Sequence, residues 1–186
     1  MLLSAHIIFL SAAALRIVRG QRKHLLRTEA PWWIQYYPPL VWLPFVVVYA
    51  QVAWFSTLIP SADLAPSVQL AGFALALLSA LFAAWGMWTL GRGYGIRLDL
   101  FEGHTLKTDG AFGLVRHPMY LGIVLFHIGA SLALESIPLL ALTALVVVPL
   151  TVARIAAEER VLREAFAGYA DYARRVPALV PIIGAR

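Results

Sequence analysis

The sequence predicts an all-α, multi-pass membrane protein. It should have five transmembrane helices and a C-terminal amphipathic helix, with the N-terminus outside and the C-terminus in the cytoplasm. Three observations carry this. Of the 186 residues, 61% are apolar and only 13% charged, whereas a soluble domain carries about a quarter charged residues. The apolar residues come in long blocks, as crossing a bilayer requires. The basic residues are sorted by segment: five follow the first apolar block, four lie between the third and fourth, and six follow the fifth, accounting for all 15 Lys and Arg. With five spans, those three segments share one side, which the positive-inside rule makes cytoplasmic.

Span one covers roughly residues 1–18 and is followed by basic residues from Arg16 and Arg19 onward. Its apolar run precedes its basic residues, the reverse of a cleaved signal peptide, so it reads as a retained helix. Span two covers roughly 33–58, with Pro38, Pro39 and Pro44 early in it; these should kink or break its beginning. Trp32, Trp33, Tyr36 and Tyr37 sit at its cytoplasmic end, where an aromatic belt is expected. Span three covers roughly 67–90 and carries Gly72, Ala76, Ala80 and Ala84 at every fourth position. Such a small-residue stripe lets another helix approach closely.

Spans four and five, roughly 117–134 and 137–153, are joined by Glu135-Ser136-Ile137-Pro138 and should form a tight antiparallel hairpin. His117, Tyr120, Val124 and His127 fall on one face of span four. His127 lies well inside the apolar run and reads as a satisfied core histidine. After span five, residues 153–177 read as a helix to about 173, closed by Pro177. Its apolar stripe runs Ile155, Leu162, Phe166, Tyr169, Ala173, and Glu158 and Glu159 interrupt it where an apolar residue is due. Two glutamates on a buried stripe beside a membrane are costly without a cationic partner. Arg154 and Arg163 stand at i,i+4 spacing from them.

The connector 91–117 opens on Gly91, Gly93 and Gly95. Glycine there either ends the preceding helix or lets backbone approach a ligand. The stretch follows a membrane helix and opens no βαβ unit, so a Rossmann nucleotide site is unsupported. The chain has no cysteine, and no His/Glu cluster has metal-ligand spacing. No metal is expected. Topology explains the basic charge, which leaves no reason to invoke nucleic acid.

LKTDGAFGLVRHPMYLG, a short helical hairpin, R-x-x-x-E-E-x-x-L and F-x-x-Y-x-x-Y-x-x-R-V-P follow one another between residues 86 and 181. In that order they resemble the isoprenylcysteine carboxyl methyltransferases and, beside them, the related phospholipid N-methyltransferases. The resemblance implies one membrane-embedded domain, residues 1–186, with the cofactor-binding part in 86–181. It implies S-adenosyl-L-methionine as cofactor, bound by Gly91, Gly93, Arg116, His117, Pro118, Tyr120, Glu158, Glu159, Tyr169 and Tyr172. Arg154 and Glu158 are the expected catalytic pair, and a lipophilic or lipid-linked acceptor the expected partner. Arg154 suits a carboxylate acceptor, through a forked pair of hydrogen bonds. An amine acceptor needs a base, for which Glu158 is the candidate. A small thiol, or a non-catalytic scaffold or transporter, are the other readings.

Overall fold

The computed structural model describes residues 7, 11, 25–26, 31–54, 62–91, 100–101 and 105–180. Span one, apart from residues 7 and 11, and the part of the connector that holds Gly93 and Gly95 lie outside these residues. Prolines set the first boundaries. A short helix α1, Trp32–Gln35, ends at Tyr36, and α2, Tyr37–Trp54, follows at once. Pro38 and Pro39 sit in the first turn of α2, where a missing N–H is tolerated, so the expected break falls between Gln35 and Tyr37.

Helix α3, Pro66–Leu90, starts with proline in its first turn and ends at Gly91, whose φ of +58° favours glycine. The short α4, Ala111–Leu114, leads into α5, Pro118–Ala133. Helices α3 and α5 pack antiparallel at very short range. A Cβ on Gly129 would meet the Ala76 nitrogen at 2.6 Å, and one on Gly122 would meet the Ala83 Cβ at 2.7 Å. The small-residue stripe therefore does what its composition implies, with one correction: it runs through Ala83, fully buried, while Ala84 is only partly buried. At about 100° per residue, a four-residue step drifts around the helix, and a three-residue step restores the face.

At the far end from the basic connectors, Glu135 makes the turn after α5 at a φ of +53°. Its carboxylate accepts the Leu64 N–H at 2.6 Å and the Gln69 side chain at 3.0 Å. The hairpin is thereby tied to the start of α3.

Helix α6 departs from the expected plan. Span five and the helix after it are one element, Ile137–Ala165, with a π-helical stretch at Thr143–Val147. Pro149 lies just beyond that stretch. It has no N–H for the carbonyl four residues back, and its ring crowds that carbonyl, so the helix widens there. The amphipathic helix expected to about 173 instead stops at Phe166, in an extended conformation, and a separate α7, Tyr169–Arg175, begins after Gly168. A two-residue antiparallel ladder pairs β1, Leu25–Leu26, with β2, Leu100–Phe101. Among the described residues it is the exception to an otherwise helical structure.

Helices α3 and α6 are long and apolar enough to cross a membrane, and α2 and α5 are shorter apolar helices. Leu70, Leu78, Leu145 and Val152 are exposed on their outer faces, an apolar exterior suited to lipid. Inside, His127 is fully buried and meets the Ile123 and Val41 carbonyls at 2.8 Å each. It packs α5 against α2, and a neutral imidazole there donates to one of the two carbonyls.

Gly129→Ala should lower thermal stability in detergent by about 1–3 kcal/mol, the usual cost of overpacking. Gly168→Ala, where added carbon meets nothing within 4 Å, should be near neutral in the same melting experiment.

Candidate functional site

The break at Phe166 to Gly168 turns α7 back toward the start of α5. Arg116 receives it. One Nη donates to the Ala173 and Val176 carbonyls at 2.9 and 2.5 Å. The backbone of Arg116 and His117 donates to Pro177 and Ala178 at 2.8 and 3.1 Å. The remaining face of the guanidinium meets Glu159 Oε1, at 2.9 Å from Nε and 2.5 Å from the other Nη. His117 Nε2 reaches the same oxygen at 3.2 Å, and Arg163 holds Oε2 at 2.9 Å. Glu159 is thus a largely buried carboxylate with three nitrogenous neighbours, which offsets its desolvation.

Glu158 is placed differently. Its Oε2 accepts the Tyr120 hydroxyl at 2.5 Å, and its other oxygen has no partner among the described residues. Arg154 Nε donates to that same Tyr120 hydroxyl at 3.0 Å, and its Nη1 donates to the Ile34 carbonyl. The i,i+4 spacing of Arg154 and Glu158 therefore works through a shared tyrosine. Arg154 is buried, at 3% exposure, a position a guanidinium occupies only with such partners. Tyr37 and Tyr120 pack T-shaped, centroids 5.2 Å apart, and Tyr37 hydrogen-bonds Thr151 at 2.8 Å.

Two tyrosines on α7 complete the group. Tyr172 donates to the Phe112 carbonyl at 2.7 Å, and burial pushes its hydroxyl up to about 12. Tyr169 is 1% exposed, with the Arg163 guanidinium 5.9 Å from its ring centroid. Its hydroxyl is buried and has no well-formed hydrogen bond among the described residues, although Arg116 lies close enough to act on it as a charge and as a long-range donor. Burial raises its pKa, and the Glu159 charge adds to the effect. Both hydroxyls stay protonated, and Tyr169 has a donor to spare.

The sequence-predicted residues thus divide. Arg116, His117 and Glu159 form one cluster, and Arg154, Tyr120 and Glu158 another. Pro118 is buried beside Gly86 and shapes the first turn of α5. Gly91 ends α3 in open space, the helix-stop use of the glycine. Gly93 lies outside the described residues. Sequence reasoning missed Tyr37, Thr151 and the Ile34 carbonyl. The available signal was Pro38, which has no N–H for the carbonyl four residues before it.

Residues 68–168 match the model of a family described as phospholipid methyltransferase, over more than half of the chain. The chain is 32% identical over 116 residues to protein-S-isoprenylcysteine O-methyltransferase B of Arabidopsis thaliana, 60% of this chain and 58% of that protein. It is 39% identical over 80 residues to the cobalt-zinc-cadmium resistance protein CzcN of Cupriavidus metallidurans, 43% of this chain and 37% of that protein. These matches therefore span between 37% and 58% of the relatives' own lengths. A solved eukaryotic intramembrane Ras methyltransferase, isoprenylcysteine carboxyl methyltransferase, superposes with a TM-score of 0.68 at 19% identity, over 98% of this chain and 65% of that one. That likeness is one of fold. On the family match, carried by the same segment that holds both clusters, this chain belongs to the phospholipid methyltransferase family.

Proposed function

We propose that the chain is an S-adenosylmethionine-dependent methyltransferase of the membrane, acting on a lipophilic acceptor that ends in a carboxylate, as in isoprenylcysteine O-methylation. The observation that carries this is the Arg154–Tyr120–Glu158 group. A buried cation suited to an acceptor carboxylate and a carboxylate suited to a cationic cofactor share one hydroxyl.

Two features fit the cofactor: the unpartnered buried hydroxyl of Tyr169 and the open oxygen of Glu158. S-adenosylmethionine brings a sulfonium-bound methyl group that is electrophilic. Glu158 offsets the positive charge, Tyr169 donates a hydrogen bond, and His117 and Tyr120 line the same side. Glu159 acts mainly by holding Arg116 and His117. Arg154 orients the acceptor carboxylate with its forked donors. Alignment of the reactants is the larger contribution such a site makes, and the surrounding apolar helices exclude water.

The membrane topology belongs to the same reading: five spans, with the N-terminus outside and the active site at the cytoplasmic face. The β1–β2 ladder joins the first and second basic connectors, and Arg116 joins the second to the third. This supports one side for all three. Residues 1–186 act as one membrane-embedded domain, with the cofactor part in 86–181. A phospholipid amine is the alternative acceptor, favoured by the family's description. It would need Glu158 as base and make little use of Arg154.

Titration with S-adenosylhomocysteine tests the cofactor. Glu158→Gln should weaken binding about 10–100-fold, the loss of a charge-assisted contact, with melting temperature unchanged. Unchanged affinity removes Glu158 from the site.

Arg154→Lys keeps the charge and loses the fork. Turnover of N-acetyl-S-farnesylcysteine should fall about 10–100-fold at saturating cofactor, with S-adenosylhomocysteine affinity nearly unaltered. Full turnover by this variant excludes the carboxylate-orienting role.

A further inference from the structure

The family match begins at residue 68, yet part of what holds Arg154 comes from further back in the chain. The Ile34 carbonyl accepts Arg154 Nη1. In an uninterrupted helix that carbonyl would belong to the N–H of residue 38. Residue 38 is proline, which has none. With the helix interrupted at Tyr36 and no N–H at residue 38, that carbonyl is left at the mouth of α2, and the arginine takes it.

Tyr37 lies between the two. The Thr151 hydroxyl donates its one hydrogen to the Val147 carbonyl at 2.7 Å. The 2.8 Å bond between Tyr37 and Thr151 must then be donated by Tyr37. That bond fixes the rotation of a fully buried ring, and the ring packs T-shaped with Tyr120 at an interplanar angle of 83°. Tyr120 in turn accepts from Arg154 and donates to Glu158. Arg154 is three residues beyond Thr151 on α6, so one helix turn carries both anchor and arginine.

We infer that the 34–38 segment is a positioning device for the reaction: Tyr37 holds Tyr120, and the carbonyl released by Pro38 holds Arg154, so that this segment sets how the acceptor is presented. The inference rests on the reading of Arg154 as the acceptor's partner. It assigns Tyr37 and Pro38 no contact with cofactor or acceptor.

Two variants test it. Tyr37→Phe removes one hydroxyl from a fully buried ring. Pro38→Ala restores an N–H that competes for the Ile34 carbonyl, and on helix propensity alone it should stabilise the protein. Each should lower kcat/KM for N-acetyl-S-farnesylcysteine about 5–30-fold, as loss of a positioning bond does, while S-adenosylhomocysteine affinity stays within about twofold of wild type. A purely structural role would instead lower melting temperature and cofactor affinity together. The Arg154 Nε–H signal, followed by NMR in labelled protein, gives a readout independent of acceptor. Its solvent exchange should quicken about tenfold in both variants, as a protecting hydrogen bond loosens. Wild-type kcat/KM and wild-type exchange in both variants overturn the inference. Failure of the wild-type protein to bind S-adenosylhomocysteine or to methylate the probe overturns the proposed function instead, and the exchange measurement still decides this point.

Discussion

A carboxylate that belongs to a membrane-side helix yet faces inward imposes the main constraint on this fold. Glu159 stands on a stripe otherwise apolar, and its side chain is 13% exposed. A charge so placed needs cationic partners, and they are Arg116, before α5, and Arg163, one turn along α6, with His117 at hydrogen-bond distance beside them. Arg116 then has N–H groups left for Ala173 and Val176. One desolvated charge thus draws the start of α5, the end of α6 and the segment after α7 into a single cluster. Breaking such a pair by removing one partner typically costs about 3–5 kcal/mol, because the other charge stays buried.

The opposite end is fastened by a different acid. Glu135 accepts from Leu64 and Gln69 and closes the α5–α6 turn on the beginning of α3. Between these ends, glycines on α3 and α5 remove the side chains that would keep the helices apart. Close backbone approach gives many small dispersion contacts, the main attraction open to helices in lipid. A rigid α3–α5 pair gives His117 and Tyr120 fixed positions, and preorganisation of this kind is what the proposed methyl-transfer site needs.

The acidic doublet shows how far local pattern carries and where it stops. That Glu158 and Glu159 interrupt an apolar stripe is plain in the sequence. That they differ in use is not. Adjacent residues on a helix point about 100° apart, so one meets Arg116 and His117 while the other meets Tyr120. Which partners lie in each direction depends on α5, some forty residues upstream. Tyr37 is similar. Local composition places it in an aromatic belt with Trp32 and Tyr36, both exposed, whereas it is itself 1% exposed. Only the packing of α2 against α5 and α6 separates it from its neighbours. The continuity of α6 was hidden for another reason. A change from apolar to charged composition reads as the end of an element, but backbone hydrogen bonding is indifferent to it.

By itself, the amino-acid order determined the helical class, the helix boundaries near Pro66, Gly91 and Pro118, the small-residue face of α3 and the family motifs. Each of these follows from local sterics, hydrogen-bonding capacity or hydropathy within a few residues. The tertiary structure decided the division of labour between the two glutamates, the inward role of Tyr37 and the use of the Ile34 carbonyl by Arg154. Those depend on contacts between residues as much as 120 positions apart, which no local rule fixes.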